Sequence, residues 1–390
     1  MGYKTSTISG VCSVVTDGSH YSPKSVDEGC YMVSVKDFTE YGFDFSGCRK
    51  ISEQDYADLK KAGCVPEYGD ILVGKDGARY FEDIIIYRQP EKPALLSSIA
   101  ILRCNKDEIL PEYLYYLLKT PSFKKDVKEN YGSGSAIPRI ILKDFKRMPV
   151  RYPTLAIQKK IVSTLEAIDS KIQVNSKIND NLLQQTAALF AQYYEQASEI
   201  VPFTSVIQVL GGGTPKTGNP LFWNGNVPFF TPKDVGTPYT LTTEKAITED
   251  GLAHCNSRLY PVNTVFVTAR GTVGKVGMPG VPMAMNQSCY ALVGKGIDQL
   301  MVYFYTLRTV QALKHKASGA VFDAITTRDF ETETIRLIAE DAAIEFLSVA
   351  TPMFSQILGN SIENQRLTEL RDALLPKLMT GEVNVSDIDI

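Results

Sequence analysis

A chain of 390 residues, 44% hydrophobic and 22% charged, has the composition of an ordinary globular protein and length for two domains of common size; a single domain of that length is unusual. Its net charge of -3 and pI of about 5.8 exclude binding of nucleic acid by bulk positive charge, so any DNA contact must use local basic patches. There is no basic-then-apolar leader and no apolar stretch near the roughly 20 residues of a membrane span, so a soluble, cytoplasmic protein without a membrane partner is expected.

In chain order, a first domain is expected over 1–153, a long helix over 154–198, a second domain over 199–338, a second long helix over 339–382 and a short tail over 383–390. The domains carry short β-like runs at 71–73, 84–87 and 265–268, broken by Gly, Pro and Asn, with one helix each at 111–118 and 300–307. Mixed α+β is the fold class this pattern predicts. Seven cysteines, an odd number with no two within four residues, suggest neither a disulfide framework nor a zinc knuckle, and reduced, partly buried thiols are expected.

The first long segment repeats Ile161, Ile168, Asn175, Leu182 and Leu189 every seven residues, with Leu165, Ile172, Asn179, Thr186 and Tyr193 four residues on. That is a heptad seam, apolar at both ends and polar in the middle. Adding 185 to each number lands on Phe346, Met353, Asn360, Leu367 and Leu374, and on Ala350, Ile357, Asn364, Arg371 and Leu378. Two unrelated amphipathic helices are the ordinary meaning of such stripes, but the shared length, spacing and asparagines favour a paired scaffold, because a polar residue on a seam fixes register. Antiparallel pairing would bring Asn175 and Asn179 near Asn360 and Asn364, where facing amides satisfy one another. Some 40 residues at 1.5 Å each make a rod of roughly 60 Å, too long for one small core. Pro352 and Pro376 predict a kink or delayed start and a disturbed last turn before Gly381.

The repeat extends upstream. Lys143-Asp144-Phe145 matches Arg328-Asp329-Phe330 at the same offset, and near an offset of 194 the run Asp70-Ile71-Leu72-Val73 matches Thr264-Val265-Phe266-Val267. Asp76-Gly77 then matches Arg270-Gly271, and Val33-Ser34-Val35-Lys36-Asp37 resembles Phe230-Thr231-Pro232-Lys233-Asp234. The glycine-centred loops 75–80 and 270–275 follow predicted strands and can aim Arg, Lys and backbone amides at a groove; otherwise they are β-turns with solvated charges. Both halves place such a loop beside a Lys-Asp pair and a Gly-Ser segment, which favours function. The DNA-contact candidates are Lys36, Lys75, Asp76, Arg79, Tyr80, Ser133, Ser135 and Arg139 in the first domain. In the second they are Thr231, Lys233, Arg270, Thr272, Lys275, Ser318 and Arg328. The runs Lys124, Lys125, Lys128 and Lys143, Lys146, Arg147, Arg151 are phosphate-tracking candidates or solvated faces.

Catalytic constellations are missing. His20, His254 and His315 stand apart from any second ligand, so no metal site is expected. Gly213-Thr214-Pro215-Lys216-Thr217-Gly218 has the glycine spacing of a phosphate loop, but Asn219-Pro220 occupies the place of the lysine and hydroxyl residue. Asn219-Pro220-Leu221-Phe222 lacks the second proline of the Asn-Pro-Pro-aromatic motif of amino-methyltransferases, and no cofactor loop accompanies it. The segment 211–223 reads as a loop whose Phe222 and Trp223 pack rather than stack on bases.

These residues resemble the specificity subunits of type I restriction-modification systems. Gly212-Gly213-Thr214-Pro215, Phe229-Phe230-Thr231-Pro232-Lys233-Asp234, Ile247-Thr248-Glu249-Asp250-Gly251-Leu252, Arg270-Gly271-Thr272-Val273-Gly274-Lys275 and Asn286-Gln287 look like its target-recognition domain in order. Ala373-Leu374-Leu375-Pro376-Lys377-Leu378-Met379-Thr380-Gly381-Glu382 resembles the close of its helical region, and the likeness spans essentially the whole chain. The first half departs more, reading Lys75-Asp76-Gly77 where the family often has Ser-Arg-Gly. The resemblance implies two target-recognition domains, each reading half of a split double-stranded DNA target. It implies paired central helices that set the gap and dock two modification (methyltransferase) subunits, which bring S-adenosylmethionine and methylate adenine. Restriction (translocase/endonuclease) subunits join, and no cofactor binds this chain. On this reading the helix-pairing residues are Ile161, Ile168, Ile172, Asn175, Asn179, Leu182 and Leu189 against Phe346, Met353, Ile357, Asn360, Asn364, Leu367 and Leu374. The competing readings are a stand-alone methyltransferase or nuclease, for which neither cofactor loop nor carboxylate cluster is found, and a structural protein whose coiled-coil arms join unrelated modules.

Overall fold

In the computed structural model, which describes residues 2–132, 138–316 and 324–385, the chain divides into Met1–Ser170 with Leu367–Ile390, and Lys171–Arg366. In the first unit, strands Cys12–Asp17, Ile99–Cys104, Ile71–Gly74 and Ile84–Ile86 form an antiparallel sheet in that order. Cys30–Val33 sits between Arg49–Ile51, antiparallel, and Ala94–Leu95, parallel, while Lys4–Thr7 pairs with Pro149–Tyr152. Side chains alternate across a strand, so the apolar runs feed two cores. Ile71, Val73, Ala100 and Leu102 face Leu114, Leu118, Phe145, Ile161 and Leu165. Leu72, Ile85 and Ile101 face Val33, Phe43, Tyr87 and Leu95. Both faces are covered, which is why these strands read as unbroken hydrophobic runs.

The second unit repeats the plan. Ile207–Gly211, Cys289–Gly294, Val265–Thr268, Val276–Pro279 and Tyr239–Thr240 form one sheet, the last pair parallel. Lys245–Ile247, Trp223–Phe230 and Ala284–Met285 form a second, and Glu199–Pro202 pairs with Thr334–Leu337. Val265 and Val267 join one core and Phe266 another. The helices expected at 111–118 and 300–307 are Pro111–Lys119 and Gln299–Lys316; the second runs further because Thr309, Val310 and Leu313 continue its buried face.

Both long helices, Leu155–Gln196 and Glu340–Thr380, divide between the units. In the first unit Ile161, Val162 and Leu165 share a core with Leu375, Leu378 and Met379, and Arg371 Nη1 reaches Asp169 Oδ1 at 2.9 Å. In the second, Asn175 Nδ2 donates to Asn364 Oδ1 (2.9 Å) and Glu363 Oε2 (2.7 Å), and Asn360 Nδ2 donates to Asn179 Oδ1 at 2.8 Å. Farther along, Thr186 Oγ1 lies 3.3 Å from Met353 Sδ, and the rings of Phe190 and Phe346 are 5.6 Å apart. Later residues of one helix meet earlier residues of the other, so the pairing is antiparallel and the asparagines satisfy each other. Ile172 and Ile357 are buried, whereas Ile168, Leu182, Leu189, Leu367 and Leu374 are half-buried at the seam margins.

The second long helix starts at Glu340 and runs through both prolines, so the delayed start expected from Pro352 does not occur. Pro352 and Ser348, four residues earlier, are both exposed, and water can take the carbonyl that the proline leaves without a donor. Gly381, at φ +78°, ends the helix. This helix is long and apolar enough to cross a membrane by length and composition, yet Phe346, Ala350, Phe354 and Ile357 are spent in the core of the second unit.

Candidate nucleic-acid interface

In the first unit the 75–80 loop is clamped at its base by backbone bonds. Lys75 N–H donates to Ser98 O (2.8 Å), Ile140 N–H to Lys75 O (2.9 Å) and Gly77 N–H to Pro138 O (2.9 Å), and Asp76 lies opposite Arg139. Gly77 has φ +94°, a turn that glycine adopts without penalty. The far side is anchored by Phe81, fully buried at φ +62° between the rings of Phe123 and Phe145. Nothing in the spacing of the sequence announced that anchor.

Lys36, Phe38, Asp76, Gly77 and Arg79 line one open cleft of about 490 Å³. Lys36 is exposed, because its neighbour Asp37 turns inward and accepts the Ser34 N–H (2.7 Å) and hydroxyl (3.1 Å). Arg79 is exposed and paired with Asp83 at 2.7 Å, which raises its pKa further. Lys75 departs from the sequence expectation of an outward contact: it is 6% exposed, with Nζ 3.3 Å from Asp17 and 3.5 Å from Asp76. A lysine buried against two carboxylates supports the loop from beneath. Tyr80 is half-buried, its hydroxyl against Gly132, and Arg139 is exposed. Lys124, at 2.8 Å, and Lys128 both bond Glu82, and these bonds outweigh desolvation to lower its pKa.

The second unit has its own pair of loops. Ala269 N–H donates to Ser288 O (2.7 Å) and Ile325 N–H to Ala269 O (2.9 Å), and Arg270 lies opposite Ala324. Gly271 has φ +82°. The buried Thr268 hydroxyl donates to Thr272 O and accepts Lys275 N–H at 2.9 Å, closing the loop internally. Thr272 Oγ1 donates to Pro232 O at 3.1 Å, joining this loop to the one carrying Lys233. There Asp234 accepts the Thr231 N–H (2.8 Å) and hydroxyl (2.6 Å), so Thr231 is engaged while Lys233 is exposed. Arg270, Thr272 and Lys275 are exposed, as is Arg328 on the short helix Thr327–Thr332. Phe145 and Phe330 are fully buried, so the repeat match that they close is partly structural. Ser133, Ser135 and Ser318 lie outside the described residues.

The 211–223 segment is tied down. A Cβ on Gly212 would come within 2.1 Å of Asn286 O, Trp223 Nε1 donates to Lys216 O at 3.2 Å, and its ring packs edge-on against Phe229. Among the described residues no group of His, Cys, Asp or Glu is arranged to hold a metal. All seven cysteines are free, and burial pushes the Cys289 thiol up to about 12, far from a reactive thiolate.

A family model described as type I restriction modification DNA specificity domain matches residues 2–184 and 196–339. The chain is 22% identical to the specificity subunit of the type I restriction enzyme HindI of Haemophilus influenzae, over 81% of this chain and 86% of that one. It is 23% identical to the specificity subunit of the type I restriction enzyme MjaIX of Methanocaldococcus jannaschii, over 73% and 71%. A crystal structure of a type I restriction-modification system S subunit from M. genitalium superimposes with a TM-score of 0.58 at 14% identity, over 97% of this chain and 96% of that one.

Proposed function

The chain belongs to the type I restriction modification DNA specificity family, and from that premise we propose that each of its two domains reads one half of a divided target in double-stranded DNA. Recognition of DNA sequence within a restriction-modification complex is the work of specificity subunits, and the chain does it without catalysis of its own. The observation that carries the bipartite reading is the duplicated loop. In each domain a left-handed glycine turn is held by two equivalent backbone bonds below its apex, with an exposed lysine on an Asp-capped turn nearby. Such loops place charged side chains at phosphates and base edges without the flexibility of a free arm.

The long helices act as spacer and platform. A helix of 42 residues is roughly 63 Å long at 1.5 Å per residue, and an α-helix does not stretch, so the interval between half-sites follows residue number. Two modification subunits dock there, bring S-adenosylmethionine and methylate adenine, and restriction subunits complete the assembly. The test is DNA binding by the complex assembled with its modification partner. Arg270→Ala and Lys275→Ala each weaken binding; Arg270→Ala also relaxes one position of one half-site, while Lys275→Ala reduces the salt dependence without changing base choice. Unchanged binding of target and non-target duplexes by both variants removes this loop from the interface.

A further inference from the structure

The apex residues of the two duplicated loops are opposite in charge. Lys75 and Ala269 are equivalent: each takes an N–H from the returning segment (Ile140, Ile325) and gives its own to a serine carbonyl (Ser98, Ser288). The next residue is Asp76 in the first domain and Arg270 in the second, each followed by a glycine at positive φ. One loop therefore presents an acceptor where the other presents donors.

Asp76 stands in the cleft beside Lys36 and Arg79, with 29% of its side chain open. Its Oδ1 is buried against the Lys75 ammonium at 3.5 Å without a hydrogen-bond partner, so the open part of the side chain is on the other side of the carboxylate. That ion pair fixes the side chain in place, and a carboxylate at a DNA surface is repelled by phosphates unless it takes a hydrogen bond from a base. Of the major-groove edges, cytosine offers the N4 amine beside a C–H, whereas adenine puts the N7 lone pair next to its amine, where it repels a second carboxylate oxygen.

We infer that Asp76 selects a C·G pair in the half-site of the first domain by accepting from cytosine N4. This rests on the reading that the glycine-turn loops face DNA.

The target is first read from adenine methylation in cells carrying the complex, and duplexes with each base at every target position then compete for the purified complex. Asp76→Ala loses discrimination on the order of tenfold at a single C·G pair in one half-site. Asp76→Asn moves the preference there toward adenine, because an amide matches adenine N6 and N7. Asp76→Glu keeps the charge facing Lys75 and displaces the carboxylate by one methylene, so it loses discrimination with the fold intact. Base choice in the other half-site, and its relaxation by Arg270→Ala, provide the internal control. Weaker binding to every duplex with base choice unaltered, or relaxation at a pair other than C·G, overturns the assignment of Asp76 while the loop reading stands. Unaltered base choice in the Asp76 and Arg270 variants alike overturns both.

Discussion

Arg371→Met isolates a carboxylate in the interior of the first unit. Asp169, on the first long helix, accepts the Tyr116 hydroxyl at 2.6 Å and the Arg371 guanidinium at 2.9 Å, with side chains 12% and 16% exposed at Asp169 and Arg371. Burial, then the bond to Asp169, raises the Tyr116 pKa, so the phenol stays a donor and does not neutralise the acid. Removing one partner of a buried ion pair costs about 3–5 kcal/mol. The remaining solvent access of Asp169 puts this case near the lower end, about 3 kcal/mol. The second contact of Arg371, to the 61% exposed Asp372, adds little because water replaces it. Arg371→Met with Asp169→Asn removes both charges yet keeps an acceptor for Tyr116, and recovers stability to within about 1 kcal/mol of the parent. Trp223 lies in the other unit and would miss the change. Hydrogen exchange in the core strands Ile71–Gly74 and Ile99–Cys104 reports it directly. A loss under about 1 kcal/mol in the single variant, or a double variant less stable than the single one, refutes the argument.

Glu82 has a lowered pKa, so its pairing with Lys124 and Lys128 stabilises above the ordinary carboxylate value of 4.5 and is lost as pH falls through the lowered value. Glu82→Gln should flatten the acid side of the stability curve in a pH-resolved thermal melt, and an unchanged acid limb contradicts this. Matched four-residue insertions after Asn179 and before Asn360 keep the facing pairs on either side and lengthen the rod by about 6 Å. The recognised spacer should grow by about two base pairs with both half-sites unaltered, and methylation sequencing that shows the parental spacer excludes the helices as a ruler. The purified chain alone should transfer no labelled methyl group to target DNA; incorporation above the partner-free blank would assign it catalysis.

The helix pair was legible because its signal is local and periodic. Heptad spacing and asparagines recurring 185 residues apart led to the antiparallel contacts of Asn175 with Asn364 and Asn179 with Asn360. The α+β class and the strands at 71–74 and 265–268 were likewise written in short apolar runs. Lys75 was misplaced because its burial depends on Asp17, which a separate strand brings to it and no spacing predicts. The basic run at 124–128 looked available for phosphate until Glu82 lay against it. Phe81 escaped notice because a positive φ in a non-glycine residue is a tertiary outcome.

The core of the first unit includes Leu375, Leu378, Met379 and Val385, which places the order of synthesis in conflict with the order of assembly. An emerging polypeptide exposes the apolar face of 161–165 long before the segment that covers it exists, because all of Lys171–Arg366 is translated in between. At about 5–20 residues per second that interval is on the order of 10–40 s. The first half of the protein therefore completes its folding last, and in the cell it waits with an open hydrophobic seam that a chaperone, or the homologous seam of a neighbouring nascent chain, can occupy first.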